Sequence, residues 1–195
     1  RDQEGGAERR RQVPVKNRER IEGMAAARLV ILDGATGTQL QARDMPGGAC
    51  PELWCLQNPE SIKAVHRDYW KAGADIVYTA TFGANRYKLA QYVAGADACQ
   101  INRDLARLAR QAVGETCLVA GDIGSTGRFV EPFGDLDFEE AVAAYKEQVR
   151  GLLEGGVDLL VIETMVDIQE ARAALIAVRE LTGTYTMVTM TYESG

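Results

Sequence analysis

The stretch GGVDLLVIETMVDIQEA, residues 155–171, carries the fold in miniature. Gly156 follows a helical pattern, the apolar run LLVI ends in the carboxylate of Glu163, and helical spacing resumes with Ile168 and Ala171. A short run apolar on both faces reads as a strand covered on both faces, which requires parallel strands under helices. Working outward, the same form recurs in LVIL at 29–32, DIVYTATF at 75–82, CLVAG at 117–121 and YTMVTMTY at 185–192, with DLLVIE at 158–163 the fourth in order. Between the runs lie helical stripes. Ile62, Val65 and Tyr69 form one behind Asn58, Ile101, Leu105, Leu108 and Ala112 a second, Val142, Tyr145, Val149 and Leu152 a third, and Ile168, Ala171, Leu175 and Val178 a fourth. Gly73, Gly114, Gly156 and Gly183 each fall where a helix should stop.

Five such units fit either an open doubly wound sheet or part of a (β/α)8 barrel. A complete barrel takes about 250 residues, and here the repeating portion, residues 29–195, stops after the fifth run. A barrel would therefore be unfinished. The open sheet needs no missing piece, but the glycine fingerprint of dinucleotide folds is absent, since the first run is followed by DGATGT.

Composition narrows the function classes. With 195 residues, 46% hydrophobic and 26% charged, the chain suits one soluble globular core. A net charge of −6 and pI near 5.0 argue against nucleic acid as a partner. No apolar run approaches the roughly 18 to 20 residues that span a bilayer, so no membrane partner is expected and a cytoplasmic location is. Residues 1–28 hold 8 Lys/Arg and 5 Asp/Glu, net +3, which leaves −9 on the rest. Residues 1–27 thus read as a polar N-terminal arm with a short helix over 17–27, and residues 28–195 as the barrel portion. The start at Arg1 rather than Met suggests a processed product or a piece of a longer frame. Cys50, Cys55, Cys99 and Cys117 contain no CxxC pair and read as reduced thiols rather than disulfides or a zinc site.

In parallel α/β folds the site gathers beyond the C-terminal strand ends, which selects Asp33, the segment 79–81, Asp122 and Glu163. Asp33, before Gly34 and Gly37, can serve a ligand or cap a helix opening near Thr36. Glu163, at the edge of the core, requires a cationic or hydrogen-bonding partner, and Thr164 is expected to cap the next helix. The glycine-rich loop 121–127 can cradle a phosphate or carboxylate. Thr79, Thr81, Phe82 and Asn85 can line a pocket or simply suit a strand end. His66 reads as a surface or groove residue.

The segments ILDGATGTQL (31–40), CPELWCLQNPESI (50–62), AGADIVYTATFGANRYKL (72–89), AGDIGSTGRFVEPFGDLDFEEA (120–141) and GGVDLLVIETMVDIQEA (155–171) together resemble the homocysteine S-methyltransferase family, in order and with family-like spacing. The resemblance implies a (β/α)8 TIM barrel, of which this chain holds about the first five βα units, similar to the homocysteine-binding barrel of cobalamin-dependent methionine synthase. It implies methyl transfer to the thiol of homocysteine to form methionine, with the thiolate activated by zinc. A free thiol has a pKa near 8.5, so metal coordination is what keeps it deprotonated at neutral pH. By resemblance, Asp33 and Glu163 hold the substrate ammonium, while backbone at Gly34 and the Thr81 region lie near its carboxylate. The family motif TNTFGAN departs here to TATFGAN, with Ala80 in place of asparagine.

The zinc cysteines implied by the family belong to the sixth and eighth strands, so the ligands are expected outside this chain. Methylcobalamin is one methyl donor among those of relatives, with betaine and S-methylmethionine, and it would bring a corrinoid protein or domain as partner. An unfinished barrel exposes two strand edges, which invites self-association. Two other readings compete: a catalytically inactive partial barrel acting as a binding or assembly module, and a phosphate-handling enzyme using the loop 121–127.

Overall fold

The computed structural model describes residues 15–192, with side chains from residue 17 onward. Most of the expected polar arm, residues 1–14, lies outside the described residues, as do residues 193–195. A helix, α1 (Val15–Ala27), precedes the repeating portion. Then come α2 (Thr36–Gln41), α3 (Pro51–Gln57), α4 (Pro59–Lys71), β1 (Ile76–Tyr78), α5 (Arg86–Leu89), α6 (Ala98–Val113), β2 (Leu118–Ile123), α7 (Phe138–Gly155), β3 (Leu159–Met165), α8 (Ile168–Leu181) and β4 (Thr186–Met190). The strands form one all-parallel sheet in the order β1-β2-β3-β4, each step crossing through helices, as a (β/α) barrel requires.

Period-two alternation divides the sheet into two faces. Val77, Val119, Leu160 and Ile162 pack outward against Ala109 of α6, Val149 and Leu152 of α7 and Ala174 and Val178 of α8. Ile76, Leu118, Ala120, Leu159 and Val161 form the opposite, inner face. Asp122 continues the inward series after Leu118 and Ala120, Glu163 continues it after Leu159 and Val161, and Tyr78 does so after Ile76. The alternation that builds the core thus delivers polar side chains to one end of its inner face.

The other end is closed by α1. Ile21 inserts among the inner-face residues, Arg20 donates to the carbonyls of Glu115 and Thr116 at 3.4 and 3.1 Å, and Asn17 Nδ2 donates to Asp158 Oδ1 at 3.1 Å. These partners are the segments that enter β2 and β3. Outer helices start on aspartate caps: Asp97 accepts from Gln100 N, Asp137 from Glu139 N and Glu140 N, and Asp167 from Gln169 N. Gly156 ends α7 at φ 85°, in the left-handed region that glycine enters without steric cost.

Several local expectations are corrected. The run 29–32 does not form a regular strand: only the bridge Leu32 to Ile76 links it to the sheet, and Leu29 is 88% exposed. It bonds to one neighbour alone, with Asp33 N donating to the Ile76 carbonyl and Ile76 N to that of Ile31. A run apolar on both faces was expected to be covered on both. Among the described residues nothing pairs with its far side. β1 is shorter than the run 75–82, because the chain turns out of the sheet after Tyr78, whereas β2 runs on to Ile123. Among the described residues no helix is long and apolar enough to cross a membrane.

Candidate active site

Beyond the C-terminal strand ends lies a cavity of about 590 Å³, lined by Asp33, Gly34, Glu52, Tyr78, Asp122 and Glu163 among others. Four carboxylates face it, and no Lys, Arg or His is among its lining residues. Asp33 does not cap a helix: the N-cap of α2 is Ala35, without a side-chain bond. Instead Asp33 Oδ2 accepts from Tyr78 N at 2.8 Å, which ties the segment after the bridge to the end of β1. Burial, with a smaller push from the Glu163 carboxylate, raises the Asp33 carboxyl to about 7, against the pull of the Tyr78 N–H.

Asp122 is 5% exposed. Burial, then the charge and hydrogen bonding of Glu163, then Asp33, raise its carboxyl well above the ordinary range. Its backbone is fixed independently of its side chain, since Asp122 N donates to Thr79 Oγ1 at 2.9 Å and its carbonyl accepts from Thr81 Oγ1 at 2.7 Å.

Glu163 lies where β3 breaks its pairing register with β4, between Ile162 and Met165. The next residue, Thr164, has φ 56° and donates its N–H to Thr189 Oγ1 at 2.9 Å. Left-handed backbone at a β-branched residue is strained, and a bulge re-aims the neighbouring side chain. Thr164 therefore shapes the bulge beside Glu163. The expected capping role belongs to Asp167.

The expected site residues thus separate. Asp33, Gly34 and Glu163 share the cavity wall, joined by Asp122. Thr81 does not line it: the residue is fully buried, with its hydroxyl engaged by the Asp122 carbonyl and lying 2.6 Å from Thr79 Oγ1. It braces the wall from behind. The loop 121–127 is not a phosphate cradle either. Gly124 N donates to the Phe82 carbonyl, and Thr126 uses both its N–H and its hydroxyl on Glu170 Oε1, each at 2.6 Å. A loop whose donors grip an internal carboxylate leaves little for an anion.

Glu52 was not legible as a site residue. It reads as an ordinary first-turn acid of α3, yet its Oε1 accepts from Gly83 N at 2.7 Å and its Oε2 from Cys50 Sγ at 3.2 Å while it lines the cavity. A Cβ on Gly83 would lie 2.7 Å from that Oε1, so glycine is what allows the approach. His66 is a further correction. It is 1% exposed on α4 rather than at the surface, and burial lowers its imidazole to about 4.

The described residues do not fit a zinc ion. Cys50 and Cys55 are buried on or beside α3, where burial pushes their thiols up to about 11 and 12, the reverse of what a metal-binding thiolate needs. Among the described residues no group of three or more His, Cys, Asp or Glu is placed to hold a metal.

Comparisons with known proteins bear on the family and the fold. The family model for homocysteine S-methyltransferase matches residues 30–195. The homocysteine methyltransferase MmuM from Escherichia coli is similar in its metallated form, with 28% identity, TM-score 0.69 and coverage of 82% of this chain and 62% of that one. The oxidised form of MmuM gives 27% identity and TM-score 0.70 over 88% and 65% of the two chains. For the apo form the values are 28% and 0.63 over 84% and 59%. The chain thus spans 59 to 65% of the length of these solved relatives. The family model covers most of the chain, and the chain belongs to the homocysteine S-methyltransferase family.

Proposed function

We propose that this chain carries the amino-acid-binding part of an enzyme that transfers a methyl group to the thiol of homocysteine, giving methionine. The observation that carries this reading is the convergence of Asp33 and Glu163, distant in sequence, on one cavity whose lining holds no cation. Carboxylates kept partly out of water without a cationic partner are costly. A ligand ammonium relieves that cost, and fixing it aims the rest of the amino acid.

In this reading Asp33 and Glu163 bind the homocysteine ammonium, and backbone at Gly34 lies near the substrate carboxylate. Tyr78 N holds Asp33 in place, and the bulge at Thr164 aims Glu163. Zinc, which the family resemblance implies for the thiol, would be held by residues other than those described. The methyl donor, whether methylcobalamin on a corrinoid partner, betaine or S-methylmethionine, is left open by this cavity. The inactive-module reading shares the ammonium site and lacks the chemistry.

The test measures homocysteine binding by calorimetry and methionine formation with each donor in zinc-supplemented protein, for the natural chain and Glu163→Gln. Loss of one charge-assisted contact, about 1.5–3 kcal/mol, should raise the homocysteine Kd about 10- to 100-fold. Unchanged homocysteine binding in Glu163→Gln would sink the proposal, and binding without methionine formation would favour the inactive module.

A further inference from the structure

Asp122 and Glu52 are the two cavity carboxylates to which the resemblance gives no task, and Glu52 is already engaged by Gly83 N and Cys50 Sγ. Asp122 lines the same cavity as Asp33 and Glu163, it is 5% exposed, and its Oδ1 is buried without a hydrogen-bond partner among the described residues. An unpaired buried acceptor is destabilising, which points to a partner that this atom gains in another state. The alternation of β2 turns Asp122 to the inner face, and its main-chain bonds to Thr79 and Thr81 hold the backbone whatever the side chain does. The side chain is therefore not needed to keep β2 in place.

A primary ammonium has three N–H donors, and two carboxylates leave one of them unmatched. We propose that Asp122 is the third acceptor of an ammonium cradle formed with Asp33 and Glu163, and that it makes the site selective for the charged amino group over an otherwise identical thiol acid. The inference rests on the homocysteine reading above.

The free protein would hold Asp122 protonated against Glu163. The groups that raise it are the carboxylates Glu163, Asp33 and Glu52, and the half-buried ammonium of Lys88, which sits over the Phe82 ring, bears on it with the opposite sign. Asp122 and Asp33, both raised chiefly by burial, retain protons around the empty pocket, and an arriving ammonium replaces them. Binding would then release protons to solvent at neutral pH, with no change in covalent bonding.

The test compares the natural protein, Asp122→Asn, Asp122→Ala and Glu163→Gln by calorimetry at pH 7 in two buffers of different ionisation enthalpy. The ligands are L-homocysteine and 4-mercaptobutanoate, which is homocysteine without its amino group. Both Asp122 variants should raise the homocysteine Kd at least 10-fold, bind 4-mercaptobutanoate as well as the natural protein or better, and release fewer protons with homocysteine. Thermal melts at pH 8 identify a variant that has not folded, and the two substitutions differ enough in volume that one suffices.

Equal weakening of both ligands in a folded variant would show a structural role and overturn the inference, as would an unchanged homocysteine Kd. If Glu163→Gln loses homocysteine and the Asp122 variants do not, Asp122 alone is misassigned. If the natural protein does not prefer homocysteine to 4-mercaptobutanoate, the ammonium reading falls and the cradle falls with it.

Discussion

Replacing Asp33 by asparagine should change how stability depends on pH, in a direction fixed by the cavity. The Asp33 carboxyl is raised from 3.8 to about 7. Between those values the folded chain holds a proton that the unfolded chain has released, so stability falls as pH rises through the window and levels off above it. Integrated from pH 5 to pH 8, that single group removes about 2.5 kcal/mol. Three other groups complicate the total curve, of which Asp122, raised chiefly by burial, acts with the same sign as Asp33. His66, lowered to about 4 from 6.5, acts with the opposite sign between those values, because there the unfolded chain holds the extra proton. Asp75, lowered to about 2 chiefly by Arg28, contributes above 3.8 and is lost only as pH falls through 2, outside the window.

The difference between Asp33→Asn and the natural chain cancels His66 and Asp75, and retains of Asp122 only the small part that Asp33 itself imposes, which has the same sign. The asparagine oxygen can still accept from Tyr78 N, so the fold is kept. Urea unfolding at pH 5, 6, 7 and 8 should therefore show Asp33→Asn gaining on the natural chain by about 2.5 kcal/mol from the first pH to the last. Parallel curves would refute the argument, because they would mean that Asp33 is already ionised or solvated at pH 5.

Two further outcomes follow from the same packing. Glu163→Gln removes a negative neighbour of both Asp33 and Asp122, so the free protein should melt higher at pH 8 even as it loses affinity for homocysteine; a lower melting temperature at that pH would contradict the electrostatic account. Gly151→Ala on α7 should cost about 1–3 kcal/mol by overpacking in urea titration, despite alanine's better helix propensity. An added Cβ there runs into the Cys99 carbonyl oxygen and lies 2.8 Å from Asn102 Cβ on α6; a stabilised variant would show that the two helices can separate freely.

The architecture was legible because parallel strands and amphipathic helices repeat a local signal many times. The parallel strands, the helices α4, α6, α7 and α8, and the strand-end location of Asp33, Asp122 and Glu163 follow from apolar runs and their punctuation, whereas the barrel order of the strands came from the family resemblance. What was not legible depends on contacts between segments far apart in the chain. Glu52 becomes a cavity residue only because Gly83, thirty-one positions later, offers it an N–H. Thr81, attractive as a strand-end hydroxyl, is withdrawn by a carbonyl forty-one positions away. The loop 121–127 carries phosphate-cradle glycines, but Glu170 on α8 occupies its donors.

The run 29–32 shows the limit from the other side. Its residues have strand character, but a single bridge to β1 holds it, and among the described residues nothing pairs with its other edge. The site nevertheless does not depend on that run being regular. Asp33 is placed by the Tyr78 N–H and by its own N–H to the Ile76 carbonyl, two bonds to β1 alone. Three of the cavity's carboxylates are consequently referred to one continuous ladder, Asp33 through β1, Asp122 on β2 and Glu163 on β3, whose registers run Ile76 to Leu118 and Asp122 to Val161. Their relative positions are fixed by the most deeply buried part of the sheet. In the proposed reading, that common frame is what presents the three carboxylates to one ammonium, since each is placed by the ladder and none by contact with the ligand.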